Sequence, residues 1–179
     1  MAVTPKMLFD QLAAWGIEQR TIEHEAVFTV AESRGVKETI PGGHTKNLFL
    51  KDKKSRLFLV TARAELPIDL KRLHEAIGAS GRLSFGSAEQ LIEILGVEPG
   101  SVTPLAVIND TAGQVTLVLD EGLLAESWIN VHPLINTMTT SLAREDLLRA
   151  LDAMGHPPVI VRLPEQGAGT GVPANSTPS

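Results

Sequence analysis

The strongest constraint on the fold is a pair of apolar segments joined by a short charged turn. Thr45–Leu50 and Arg56–Ala62 flank the turn Asp52–Ser55, and Leu57–Val60 is uniformly apolar. Two such segments, a few residues apart, favour antiparallel pairing in a β-hairpin. An unbroken apolar run is typical of a strand that is buried on both faces. The sequence therefore predicts a sheet built around this hairpin, with its second strand fully buried.

Helix and strand signals alternate irregularly in the rest of the chain. Thr4–Pro5 supplies a capping hydroxyl followed by a proline, as at the start of a helix. Ser87 and Gln90 have the spacing of a capping box. Asp69 and Ser141 are each expected to cap a further helix. These signals predict four helices that flank the sheet.

The last third of the chain ends in a segment without apolar pattern. Leu105–Ile108 is apolar and predicts a strand. At the end of the chain, residues 164–179 are mostly Gly, Pro, Ser and Thr. Such a tail cannot bury a core and is expected to be disordered. The whole pattern predicts one α+β domain over residues 1–163, with a mixed, mostly antiparallel β-sheet and flanking helices.

The composition narrows the chemistry. The chain has no cysteine, and its five histidines have no close ligand spacing. This excludes disulfides and thiolate nucleophiles, and we predict neither a metal nor a cofactor. No apolar run approaches the roughly 20 residues of a membrane span, and the N-terminal residues lack the pattern of a secretory signal. We expect a cytoplasmic protein without membrane association.

The net charge of −5 hides an uneven distribution of charge. Residues 34–72 hold ten Lys or Arg and four Asp or Glu, whereas the remainder of the chain is acidic. Such asymmetry can mark a surface that faces phosphates. The candidates for phosphate contacts are the cations of the hairpin turn: Lys51, Lys53, Lys54 and Arg56. A solvated hairpin turn explains the same pattern equally well.

Three short segments carry the candidate chemistry. Lys46 stands at the start of a core strand, after two glycines. Gly100–Pro104 is a loop in which glycine lets backbone N–H groups approach a ligand. His132 precedes a proline that ends a strand. Taken singly, each has an ordinary structural explanation as a solvated lysine, a turn or a strand terminator.

Together these segments resemble the YbaK/prolyl-tRNA-editing superfamily. The resemblance is carried by Gly43–Leu50, Gly100–Pro104 and Asn130–Thr137, in this order. The first and third segments are most similar to the free-standing Ala-tRNA(Pro) deacylase branch, known as ProXp-ala or PrdX. The resemblance implies a trans-editing hydrolase, which cleaves the ester of mischarged tRNA without a metal or cofactor and protects translation fidelity.

The resemblance also implies roles for individual residues. Lys46 corresponds to the essential catalytic lysine of the family. The substrate-binding residues would be Thr45, Asn47, Gly100, Ser101, Pro104 and His132. The partners would be mischarged tRNA and, as a further candidate, prolyl-tRNA synthetase, and we expect a monomer or a weak homodimer. Two alternatives stay open: a Cys-tRNA(Pro) deacylase, and a non-catalytic module of the same fold that binds nucleic acid or a synthetase.

Overall fold

The computed structural model describes residues 1–26 and 40–167, and a mixed β-sheet organises them. The strands are β1 Arg20–Glu23, β2 Gly43–Lys51, β3 Leu57–Arg63, β4 Ser84–Phe85, β5 Val115–Asp120, β6 Trp128–Val131, β7 Met138–Ala143 and β8 Val159–Val161. The helices are α1 Pro5–Ala14, α2 Leu73–Ile77, α3 Ala88–Gln90, which continues as a π-helical turn at Leu91–Leu95, and α4 Arg144–Ala153.

The strand order of the sheet is β1-β7-β6-β2-β3-β5-β8, and β4 pairs with the far end of β2. Among the described residues, β2–β3, β2–β4, β1–β7 and β6–β7 are antiparallel, whereas β2–β6, β3–β5 and β5–β8 are parallel. The predicted hairpin and the predicted mixed sheet are therefore confirmed.

Apolar side chains cover both faces of this sheet. Leu57 and Leu59 of β3 join a cluster that includes residues of α1 and α4. Phe58 and Val60, which point the other way, join a second cluster with Leu73 of α2. All four β3 side chains are buried, and full burial of such a side chain stabilises the fold by about 1.5–3 kcal/mol. The second hairpin strand is buried on both faces, as its sequence predicts.

The hairpin turn is held by a buried carboxylate. Asp52 accepts hydrogen bonds from the backbone N–H groups of Lys54, Arg56 and Ser80 and from Arg56 Nε, each at 2.9 Å. Burial of the carboxyl group acts to raise its pKa, but these hydrogen bonds, led by that from Ser80, outweigh burial and lower the pKa of Asp52 to about 2. The turn is thus a fixed structure rather than a loosely solvated loop.

The predicted strand at Leu105–Ile108 is wrong. Pro104–Asn109 forms a 3₁₀ helix, with proline in its first turn and the Thr103 hydroxyl accepting from Leu105 N–H at 3.3 Å. A short buried apolar run does not by itself distinguish a strand from a helix. The capping threonine and the proline decide the outcome here.

Two predicted helix caps are also wrong. The helix α2 begins only at Leu73, and the Asp69 carboxylate instead accepts from Lys71 N–H in the preceding turn, at 3.1 Å. Ser141 lies in β7, where its hydroxyl donates to the side chain of Asn130. The last helix starts two residues later than Ser141 predicts, after Ala143. Both polar side chains make hydrogen bonds elsewhere, Asp69 with the backbone of the preceding turn and Ser141 with the neighbouring strand β6.

The first residues of the predicted tail contact the domain. Asp69 N–H donates to the Pro164 carbonyl, and Gln166 N–H donates to the Pro67 carbonyl, both at 2.8 Å. Residues 168–179 lie outside the described part of the chain. Within the described residues, no helix has the length and apolar character needed to traverse a lipid bilayer.

Candidate functional site

A cleft of about 190 Å³ opens where β6 separates from β2. The two strands pair in parallel only at Gly43–Ile129 and His44–Asn130, and β4 joins β2 only from Leu50. Between these two pairings, no described strand is hydrogen-bonded to this edge of β2. The cleft is lined by Thr45, Lys46, Asn47, Gly100, Val102 and His132. It therefore brings together five of the predicted site residues from three separate segments.

The strand β2 presents its polar side chains on opposite faces. Thr45 and Asn47 share a face with Phe49, which lies in the larger apolar cluster. Lys46 shares the other face with Leu50, and its ammonium group donates to the Leu66 carbonyl. The lysine is half-buried and held at the rim of the cleft, rather than extended into bulk water.

Asn47 ties the glycine loop to the sheet. Its Nδ2 donates to the Val102 carbonyl at 3.0 Å, while its Oδ1 accepts from the buried Thr61 hydroxyl at 2.5 Å. Thr61 lies directly opposite Asn47 in the β2–β3 register. Because both ends of the amide are engaged, Asn47 fixes the distance between β2 and the loop.

The glycine loop lines the cleft together with Lys46. Gly100 has a φ of +92°, a conformation that favours glycine, and it is exposed to solvent. The Ser101 N–H already donates to the Glu98 carbonyl at 3.0 Å. Among the described residues, the N–H groups of Gly100 and Val102 make no hydrogen bond. Because both residues line the cleft, these N–H groups are the candidate donors to an oxygen atom bound there.

His132 supplies a hydrogen-bond acceptor to the lining of the cleft. Its Nδ1 lies 3.1 Å from the Met138 carbonyl, which can only accept, so Nδ1 carries a proton. Burial lowers the pKa of His132, and the hydrogen bond to Met138 opposes this only in part. The ring is therefore neutral at pH 7, with Nε2 as its acceptor.

Asn130 holds the N-terminal end of β2 in place. Its Nδ2 donates to the Pro41 carbonyl at 3.1 Å, and its backbone carbonyl accepts from the Thr45 hydroxyl at 2.8 Å. A side chain at Gly42, which has a φ of +108°, would lie 2.8 Å from the Trp128 carbonyl. Glycine at position 42 thus permits close contact between the loop and β6. The Thr45 hydroxyl already donates its hydrogen bond to the protein backbone.

The remaining predicted site residues have other positions. Ser101 is buried, and Pro104 is the first residue of the 3₁₀ helix, so both shape the loop without lining the cleft. Lys53 and Lys54 are exposed, but Arg56 donates to Asp52 and to the Gly78 carbonyl. Arg56 thus has a structural role in the turn, and a phosphate would compete with these contacts.

Two residues of the site are missing from the sequence prediction. Val102 lies inside the glycine segment, and its carbonyl receives the amide of Asn47. Thr61 interrupts the apolar run of β3, and a polar residue inside a buried run needs a hydrogen-bond partner. That interruption is the signal from which Thr61 could have been found.

Comparison with known proteins decides the family. The model of the aminoacyl-tRNA editing domain matches residues 24–150, which is well over half of the chain. The chain belongs to the aminoacyl-tRNA editing family. The predicted superfamily and the predicted enzyme class, an aminoacyl-tRNA deacylase, are thereby confirmed.

Several known proteins are similar to this chain over most of their length. The prolyl-tRNA synthetase associated domain-containing protein 1 of Danio rerio is 42% identical over 158 residues, covering 87% of this chain and 85% of the relative. The prolyl-tRNA editing protein ProX of Acetoanaerobium sticklandii is 38% identical over 141 residues, covering 78% and 85%. The crystal structure of a proposed trans-editing enzyme for prolyl tRNA synthetase has a TM-score of 0.65 at 18% identity, covering 88% and 92%, and has the same fold.

Proposed function

We propose that this protein hydrolyses Ala-tRNA(Pro) in trans, with Lys46 as its catalytic residue. The observation that carries the proposal is the cleft itself, which is lined by Lys46, by the glycine-loop residues Gly100 and Val102 and by His132. An aminoacyl ester is already reactive, so charge stabilisation and correct positioning suffice for its hydrolysis. A strong nucleophile is not required.

Each group has a distinct task in this proposal. Lys46 provides positive charge beside the scissile ester or the terminal phosphate. The N–H groups of Gly100 and Val102 donate to the carbonyl oxygen, on which negative charge develops as water attacks. Neutral His132 accepts, through Nε2, a hydrogen bond from the attacking water or from the substrate. Asn47 positions the loop and does not react.

The size of the cleft supports a small amino acid. Its volume of about 190 Å³ lies below the roughly 300–1,000 Å³ of pockets that enclose a drug-sized ligand. It suits a short side chain and the ester group, with the adenosine outside. A pocket of this kind can reject the bulkier proline sterically, whereas a synthetase site built for proline cannot strongly reject the smaller alanine.

The test is deacylation of Ala-tRNA(Pro), Cys-tRNA(Pro) and Pro-tRNA(Pro) by the wild type and by Lys46→Ala. We expect rapid release of alanine alone, and its loss in Lys46→Ala. Lys6→Ala is the matched control, because Lys6 is an exposed lysine on α1, far along the chain from the cleft.

Three outcomes separate the alternatives. Release of cysteine in place of alanine would retain the editing reaction and overturn the proposed substrate. Full activity of Lys46→Ala would overturn the catalytic role of the lysine. If none of the three esters were hydrolysed while the tRNA still bound, the protein would act as a binding module.

A further inference from the structure

Phe85 is an exposed aromatic side chain on the short strand β4. It retains 64% of its accessible surface, whereas Phe49 and Phe58 are buried at 5% and 3%. The chain has five phenylalanines and no tyrosine, so it uses few aromatic side chains. An exposed ring leaves apolar surface in contact with water, and burial of that surface in the core would have stabilised the fold. The exposed position of Phe85 therefore calls for a functional explanation.

The strand register puts Phe85 on the same face of the sheet as Lys46. Phe85 lies opposite Leu50 in the antiparallel β2–β4 pair, so both side chains project to one face. Leu50 and Lys46 are four residues apart on β2 and also share that face. Because Phe85 lies opposite Leu50, its backbone is about 13 Å from Lys46 along the strand direction, at roughly 3.3 Å per residue. A flexible strand of a few nucleotides can span this distance.

A basic cleft adjoins the start of β4, because its lining includes Arg82 and Leu83, which directly precede that strand. It has a volume of about 460 Å³, and the described residues that line it are Leu70, Lys71, His74, Arg82 and Leu83, none of them acidic. Lys71 and Arg82 are exposed and form no ion pair with any described residue. Lys71 and Arg82 carry the positive charge of the cleft.

We propose that Phe85 and the Lys71–Arg82 cleft bind the unpaired 3′ end of the substrate tRNA and guide it towards Lys46. An aromatic platform beside unpaired cations is the combination by which proteins hold single-stranded nucleic acid. The ring stacks on a base, and the two cations contact the adjacent phosphates. This inference rests on the proposed function, and it adds a binding surface outside the catalytic cleft.

The experiment measures binding of two uncharged RNA hairpins that mimic the tRNA acceptor stem. One ends in the unpaired 3′ nucleotides, and the other is blunt. Since stacking on one aromatic side chain contributes about 1–3 kcal/mol per base, Phe85→Ala should weaken binding of the first hairpin by about 5-fold to 140-fold. Binding of the blunt hairpin should stay the same. Phe85→Trp should restore the affinity.

Salt dependence tests the cationic part. Arg82→Ala should reduce the slope of log Kd against log salt concentration by about 0.7, which is the share of one phosphate contact on a single strand. The controls are Ile92→Ala, at an exposed apolar residue of the π-helical turn, and Lys6→Ala, at an exposed lysine of α1. Both controls should match the wild type.

These measurements need no hydrolysis, so they are independent of the proposed reaction. Equal affinity of Phe85→Ala and wild type for the hairpin with the 3′ end would overturn the inference, even if Lys46-dependent deacylation is observed. So would the same loss on both hairpins, which indicates contact with the duplex. Selective loss on the first hairpin, with no deacylation, would support the surface and refute the reaction.

Discussion

The hydrogen bond between Thr61 and Asn47 gives the sharpest test of how the site is held. Thr61→Val removes the hydroxyl but keeps the branched shape that suits a strand. The Asn47 Oδ1 atom then loses the donor that it meets at 2.5 Å, while Nδ2 still faces the Val102 carbonyl. An amide held at one end can rotate, and the glycine loop can move with it.

The magnitude follows from burial. Thr61 is fully buried and Asn47 is half-buried, so the abandoned Oδ1 acceptor is poorly reached by water. Leaving such a group unsatisfied costs about 1–3 kcal/mol of unfolding free energy. A displacement of about 1 Å in a site can cost on the order of 100-fold in rate. We therefore expect deacylation by Thr61→Val to fall by about 10- to 100-fold.

The assay pairs urea unfolding with single-turnover deacylation, and Thr61→Ser is the matched control. Serine keeps the hydroxyl but loses a methyl group, which costs about 0.8 kcal/mol of stability. We expect both variants to be destabilised, but only Thr61→Val to lose activity. Wild-type activity in Thr61→Val would refute the positioning role, and equal loss of activity in both variants would reduce it to packing.

Three further predictions follow from single residues. Gly100→Ala puts a side chain at a φ of +92° in the loop that carries the candidate N–H donors, so the deacylation rate should fall at least about tenfold. The control is Gly113→Ala, which is also at positive φ but in open space; it should lower the melting temperature and leave the deacylation rate unchanged. Because folding lowers the pKa of Asp52 from 3.8 to about 2, its contribution to stability is present above the unfolded value and is lost as pH falls towards 2; the acid limb of unfolding should flatten in Asp52→Asn, and an unchanged limb would contradict the assignment. Burial lowers the pKa of His132, so the folded ring stays neutral at pH values where the unfolded chain already binds a proton, and stability is lost as pH falls from 6.5 towards the lower folded pKa. An NMR titration should give a midpoint below 6.5, and a midpoint above it would contradict a buried neutral ring.

The sequence by itself determined the elements whose signals are local. The β2–β3 hairpin follows from two apolar runs around a polar turn, and Thr4–Pro5 starts α1 as the capping rule predicts, with the Thr4 hydroxyl accepting from Met7 N–H at 3.1 Å. The capping box at Ser87 and Gln90 also forms as predicted. In each case, the partners lie within a few residues of one another, so the residue types alone carry the information.

Tertiary structure decided everything that depends on distant partners. Ser141 has the residue type of a helix cap, but its hydroxyl is used by Asn130 across the β6–β7 pair. Leu105–Ile108 has the apolarity of a strand, but burial on all sides fits a 3₁₀ helix equally well. Local propensity cannot rank such alternatives, because their energies are set by contacts with other elements.

The candidate site divides in the same way. The resemblance singled out Lys46, Gly100 and His132, but their meeting in one cleft depends on a parallel β2–β6 pairing that lasts for only two residues. The early end of this pairing opens the edge of β2 and creates the space. The hydrogen bonds of Asn47 then fix the loop across it. Nothing in the local sequence of any one segment encodes that separation, because it is set by how the strands twist and pack together.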